Sequence, residues 1–288
     1  MGSSAVSWNG EKAVAGLETK VPGPLSGAVA FVTGSGRGLG HIIAQKLIDL
    51  GADVAIHDIS EDAPAQYGEA TNLTEVAKRL AKGGTRIASV TGDITKEALV
   101  MQMVQTIEQT LGPISILVNC AGGDIGAEGK KPSPNGALDI SMADMAAVFE
   151  RNFVGTFLMC RAVCPGMAAR EKGAVINIGS LNAHQGVSPE VIYGCAKAAV
   201  VHYTRCLALE MRPVGVRVNV ISPGPAKTAR FLATRETDAK MMAEGASLER
   251  YATPVEIADA VAFLASNQSS FISGQVLRVD GGAGLFAA

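Results

Sequence analysis

The chain has 288 residues, a formal net charge of -2 and no basic block, which argues against a nucleic-acid surface. It is 48% hydrophobic but only 5% aromatic, so its core must come mainly from Val, Ile, Leu and Ala, and no apolar run is long enough to span a bilayer. The length fits one large α/β domain or two small ones.

Residues 1–26 are polar, contain Gly and Pro, and read as an N-terminal extension. The opening "MGSSAVSWNGEKAVAG" lacks the basic head and apolar core of a secretory signal. From Gly27 the pattern changes, and 27–288 reads as one domain. "AVAFVTG" (28–34) is a short apolar run ending in Gly, as a buried parallel strand should be. A helix at 41–51, a strand at 53–58, a helix at 73–84 and a strand at 86–93 follow. Next come a helix at 96–112 and a strand at 114–122. The second half repeats the rhythm. A long helix covers 141–169, then a strand 174–180, a helix 189–212 and a strand 216–224. A polar segment, 225–253, breaks the alternation before a helix at 254–266 and a last strand at 275–282. Alternation of doubly buried strands with helices predicts an α/β fold. It is a doubly wound parallel sheet of about seven strands, with helices on both faces. The five Cys form no Cys-x-x-Cys pair. Cys160 and Cys164, four apart on a helix, suit neither a disulfide nor, without nearby His, a metal site. Reduced thiols in a cytoplasmic protein, with no metal, are the expectation.

Ligands of such sheets bind at the carboxyl ends of the strands. The first strand ends in "TGSGRGLG", which runs straight into a helix. Glycines let backbone approach a pyrophosphate, and the helix N-terminus offers free N–H groups to it. Gly34, Ser35, Arg37, Gly38, Leu39 and Gly40 are therefore candidate dinucleotide contacts; a tight turn without ligand is the bland alternative. The second strand ends in Asp58, eighteen residues after Gly40. A carboxylate there accepts hydrogen bonds from a ribose diol and repels a 2′-phosphate, unless it is only a cap. Arg37 pulls the other way, since a guanidinium can hold a phosphate. Asp58 weighs more, so NAD is expected first and NADP second. Asp93 with Ile94, then Asn119, Ala121 and Gly122 in "NCAG", end the third and fourth strands. Ser180 ends the fifth, and Pro223 and Gly224 the sixth, with Thr228 just beyond.

Together these residues resemble the short-chain dehydrogenase/reductase family over about residues 25–282. The spacing Thr33-Gly34-x-x-x-Gly38-x-Gly40 is the family's own. "NCAG" is similar to its Asn-Asn-Ala-Gly, with Cys120 as a departure. Asn152, Ser180, Tyr193 and Lys197 stand in its catalytic order, and "SPGPAKT" resembles its nicotinamide-holding stretch. The resemblance implies a single Rossmann-type domain. It further implies an NAD(P)-dependent oxidoreductase that interconverts a secondary alcohol and a ketone. In that reading Lys197 also binds the nicotinamide ribose, and Asn152 holds a water that passes protons to Lys197. Tyr193 and Lys197, four apart, share a helix face. A free phenol, with a pKa of about 10, is too weakly acidic to act as a base near neutrality. A nearby ammonium and the oxidised nicotinamide are expected to lower it. Ser180 would fix the substrate oxygen.

The sequence says little about the substrate. Asn182, His184 and Gln185 follow Ser180 and either line a polar pocket for a polyol or sugar-like alcohol or face solvent; Ser180, Asn182, His184 and Tyr193 are the substrate candidates. Segment 225–253 is expected to be a mobile lid, and the Gly/Pro-rich 122–140 to narrow the pocket mouth. By resemblance, the helices at 141–169 and 189–212 form the interface of a homotetramer, or else a dimer, with Leu285 and Phe286 reaching a neighbour. The competing class is a non-catalytic dinucleotide-binding sensor or scaffold on the same fold.

Overall fold

The computed structural model describes residues 23–81 and 84–285. Most of the extension at 1–26, and Phe286, lie outside them. Seven strands form one parallel sheet in the order β3-β2-β1-β4-β5-β6-β7. They are β1 (Val29–Val32), β2 (Asp53–Asp58), β3 (Ile87–Thr91), β4 (Ile116–Asn119), β5 (Gly173–Ile178), β6 (Val216–Pro223) and β7 (Val276–Val279). The helices between them are α1 (Gly38–Asp49), α2 (Leu73–Leu80), α3 (Glu97–Leu111), α4 (Met142–Phe149), α5 (Gly155–Ala169), α6 (Val191–Met211), α7 (Ala229–Thr234) and α8 (Pro254–Ala265).

Period-2 alternation splits the strands' side chains between two cores. Ala30 and Val32 of β1 join Val54, Ile56, Ile116 and Ile176 in one core, under Ile43 and Leu47 of α1 and Ile257 and Val261 of α8. Val29 and Phe31 face the opposite way. There they meet Leu117, Val175 and Val218 beneath α3, α5 and α6. Strands buried on both faces must be apolar throughout, which is why their sequence shows runs rather than alternation.

Strand order reverses between β1 and β4. The chain leaves these two strands toward opposite sides, which opens a crevice at their carboxyl ends. All the expected strands and long helices are present, with two differences. The helix expected over 141–169 is interrupted by a π-helical turn at Glu150–Val154, because Asn152 turns its amide onto the Val148 carbonyl at 2.8 Å. The polar segment 225–253 contains α7, capped by Thr228, whose Oγ1 accepts from Phe231 N at 3.1 Å.

Candidate active site

A cleft of about 680 Å³ lies along these strand ends, a size suited to a small-molecule ligand. Its first wall is the turn from β1 into α1. That turn is held close to β4 by Thr33, whose Oγ1 accepts from Cys120 N and Ala121 N, both at 3.0 Å. Close approach dictates the glycines. A Cβ on Gly34, at φ +66°, would stand 2.8 Å from Ala121 Cα, and one on Gly40 would stand 2.2 Å from the Gly34 carbonyl oxygen. His57, buried in β2, ties the turn to β3. Its Nδ1 accepts from Gly34 N at 3.1 Å, and its Nε2 lies 2.9 Å from the Gly92 carbonyl. Burial lowers its pKa, so the ring is neutral and donates from Nε2.

Gly34, Arg37, Gly38, Leu39, Gly40, Asp58, Asp93, Ile94, Ala121, Gly122, Pro223, Gly224 and Thr228 all line the cleft. Ser35 and Asn119, also expected to contact the dinucleotide, do not. Ser35 is buried, its Oγ donating to the Val32 carbonyl at 2.7 Å and accepting from His57 N at 3.0 Å. Asn119 points into the core, where Nδ2 donates to Asn177 Oδ1 at 2.8 Å. Both side chains brace the strand ends and leave the ligand surface to their neighbours.

The residues present fit a dinucleotide on two counts. Asp58 Oδ2 is buried without a hydrogen-bond partner, an acceptor ready for a ribose hydroxyl. At the start of α1, Gly38 N donates to the Glu69 carboxylate at 2.8 Å. An anion of the chain itself thus occupies the kind of helix N-terminal position that attracts phosphate. Arg37 is shared between neutral and charged partners: its Nη1 donates to Gln66 Oε1 at 2.5 Å, its guanidinium lies 5.3 Å from the Tyr67 ring centre, and its Nε forms an ion pair with Asp58 Oδ2 at 3.7 Å.

At the other end, α6 presents Tyr193 and Lys197 to the cleft on one face. Lys197 is buried, and its Nζ donates to the Ile178 carbonyl at 2.7 Å and lies 5.8 Å from the Tyr193 ring centre. Burial pulls its pKa down to about 8. Burial pushes the Tyr193 phenol up. A side-chain hydrogen bond with Ser180, then Arg235 and Arg230, pull it back. Asn152 is fully buried and does not line the cleft. Its Oδ1 accepts from Gly123 N and its Nδ2 donates to the Gly123 carbonyl, both at 2.9 Å, so its amide fixes the Gly122–Gly123 turn.

Of the substrate candidates, Ser180, Asn182 and Tyr193 line the cleft. His184 does not; its Nε2 lies 2.9 Å from Ser222 Oγ, and Gln185 is exposed. The polar wall that faces Tyr193 comes instead from residues no motif marked. Glu190 is buried at a left-handed φ of 81° and gathers three segments. Its Oε1 meets Arg235 at 2.6 Å and Lys131 at 2.9 Å, and its Oε2 accepts from Asn182 Nδ2 at 3.1 Å. Lys131 belongs to 122–140 and Arg235 follows α7, so both segments contribute side chains to the cleft wall. An acidic residue just before an apolar helix was the only available sign of Glu190, and it reads equally well as a cap.

Among the described residues, no cluster of metal-ligating side chains occurs, and no helix is long and apolar enough to cross a membrane. A stability consequence follows from Lys197. Its folded pKa of about 8 lies below the ordinary 10.5, so between those values the unfolded chain holds a proton the folded one has released. The group therefore adds stability as pH rises through that window, by up to about 3 kcal/mol. Urea unfolding of dinucleotide-free protein should show wild type gaining on Lys197→Met by that order between pH 8 and 10.5. A pH-independent difference would mean that the ammonium is not desolvated.

The same architecture recurs in known proteins. The family model described as enoyl-(acyl carrier protein) reductase matches residues 34–284. A cyclohexanol dehydrogenase of Rhodococcus sp. (strain TK6) is 33% identical, over 90% of this chain and 97% of its own. A 2,3-dihydro-2,3-dihydroxybenzoate dehydrogenase of Bacillus subtilis (strain 168) is 31% identical, over 91% and 97%. A 7α-hydroxysteroid dehydrogenase, solved with NADH and 7-oxo glycochenodeoxycholic acid, superposes with a TM-score of 0.78 at 30% identity, covering 90% of this chain and 94% of that one. With matches of this extent on a seven-stranded parallel sheet, the chain belongs to the short-chain dehydrogenase/reductase family of oxidoreductases, whose members bind nicotinamide dinucleotides.

Proposed function

We propose that the protein interconverts a secondary alcohol and a ketone by hydride transfer with NAD, and with NADP as the poorer cofactor. The observation that carries this reading is the meeting of Tyr193, Ser180 and Lys197 at one end of a cleft whose other end holds the glycine turn and Asp58. The bound dinucleotide supplies the hydride acceptor. Tyr193 takes the hydroxyl proton of the alcohol as the general base, and returns it in the reverse direction. Ser180, hydrogen-bonded to Tyr193, holds the same oxygen and fixes the carbon for transfer. Lys197 offers its remaining N–H donors to the nicotinamide ribose and adds positive charge beside the phenol. Asn152 holds the Gly122–Gly123 turn against Lys197. Gly34, Gly38, Leu39 and Gly40 carry the pyrophosphate, and Asp58 Oδ2 takes a ribose hydroxyl.

A hydroxylated, polyol-like substrate is supported by Asn182 and by the polar wall of Asp124 and Glu190. Relatives named for cyclohexanol, dihydrodihydroxybenzoate and steroid substrates make a ring-borne secondary alcohol a sensible first panel. Five free thiols support a cytoplasmic enzyme. A homotetramer, with a dimer second, is supported by apolar side chains left facing outward. Met142 and Leu209 are 73% and 69% exposed on α4 and α6, and Leu285 is 89% exposed in the tail. Light scattering at micromolar concentration should give a four-subunit mass; a one-subunit mass overturns the assembly.

Tyr193→Phe keeps the ring's packing and removes only the hydroxyl. It should bind NADH nearly normally and lose about 10²–10⁴-fold in kcat for alcohol oxidation. A variant with near-normal kcat and intact fold would move the acid–base role elsewhere. Binding without turnover in the wild type, across the alcohol panel, would favour a non-catalytic sensor.

Cofactor choice turns on Asp58. Wild type should prefer NAD in kcat/KM, and Asp58→Ala should shift the ratio toward NADP by about tenfold or more, a change of about 1.4 kcal/mol. A wild type that prefers NADP would show that Arg37 dominates the 2′ position.

A further inference from the structure

Most charges along the cleft are compensated. Arg37 lies beside Asp58, while Arg235 and Lys131 share Glu190. Arg230, on α7, is an exception. Among the described residues it meets no carboxylate. Its Nη1 donates to the Gly122 carbonyl at 3.2 Å and its Nη2 to the Asp124 carbonyl at 3.4 Å, both at or beyond the long end of the usual range. Two of its five N–H donors are thus weakly engaged by neutral oxygens. The fit is close, since a Cβ on Gly123 would stand 2.3 Å from Nη1. The Asp124 carboxylate does not answer the charge. Its Oδ2 accepts from Asn135 at 2.8 Å, and its Oδ1 is buried without a partner.

A guanidinium stays charged at any working pH. Backbone carbonyls solvate it without neutralising it, and Arg37 and Arg235 add repulsion. The group also bridges the two walls of the cleft, from the covering segment 225–253 to the turn after β4. A half-buried, uncompensated cation with a planar fork of donors, in a ligand cleft beside Tyr193, is complementary to an oxyanion.

We propose that Arg230 is the binding residue for an oxyanion in this cleft, exchanging its contacts with the Gly122 and Asp124 carbonyls for that anion when ligand enters. The anion is either the pyrophosphate of the dinucleotide or an acid group on the substrate. Naming these two ligands rests on the dinucleotide-dependent reaction proposed above; the uncompensated charge does not.

Arg230→Gln can still donate to the two carbonyls but carries no charge. Calorimetry with NADH and with inorganic pyrophosphate gives the first arm. Relative kcat/KM for a hydroxy acid and its amide gives the second. A loss of about tenfold or more in affinity for both phosphate probes, partly restored in Arg230→Lys, assigns the anion to the dinucleotide. Phosphate affinities within about twofold of wild type, with the preference for acid over amide reduced about tenfold, assign it to the substrate. Both arms within about twofold, in a variant with wild-type Tm, overturn the proposal. If Arg230→Gln does not fold, Arg230→Lys and the salt dependence of wild-type NADH binding take its place; a salt-independent affinity with unchanged Arg230→Lys also overturns it. A wild type that binds NADH through Arg230 and oxidises nothing sinks the catalytic reading alone. One that oxidises alcohols with both arms unmoved sinks the clamp alone, and one that binds no probe and oxidises nothing sinks both.

Discussion

The buried ammonium of Lys197 is the charge around which the site is arranged. One carbonyl, that of Ile178, meets it at 2.7 Å, and burial holds its pKa near 8. Among the described residues no carboxylate pairs with it, and an ammonium with donors to spare is costly to bury. Gly122, beside it, lacks a Cβ that would stand 2.6 Å from Asn152 Oδ1. Asn152 in turn holds the Gly122–Gly123 turn from behind, and can do so because the helix opens into a π-helical turn at that residue. A local irregularity, a glycine and an amide therefore serve one purpose. They leave Lys197 facing the cleft.

Periodicity made the fold legible. Runs of apolar residues marked strands buried on both sides, and 3.6-residue spacing marked the helices between them. Spacing also located the ligand-facing turns. It could not say which way each side chain points within a turn. Ser35 and Asn119 stand in the right loops yet face inward, because each satisfies buried backbone or side-chain groups of a neighbouring strand. His184 follows Ser180 closely but turns to Ser222. His57, Glu69, Glu190 and Arg230 were illegible for a related reason. Each acts through a partner more than eight residues distant, in one case 108 residues away, and no local pattern encodes such a bond.

The proton chemistry of Tyr193 depends on the segment that covers it. Burial alone makes the phenol a poorer acid than in water, hence a poor source of phenolate. Three influences oppose this, and they come from different parts of the chain. Ser180 reaches it from the end of β5, and Arg235 and Arg230 from the region of α7. Arg235 is tied to Glu190, whose own charge raises the phenol pKa, so much of that pair's effect cancels. Arg230 has no such counter-charge among the described residues. The covering segment is thus both a wall of the cleft and part of the electrostatic environment of Tyr193. Without α7 over the cleft, the phenol would lose the guanidiniums and meet water. Under the proposed reaction, acid–base competence belongs to the covered cleft as a whole, of which Tyr193 and Lys197 on α6 form one wall.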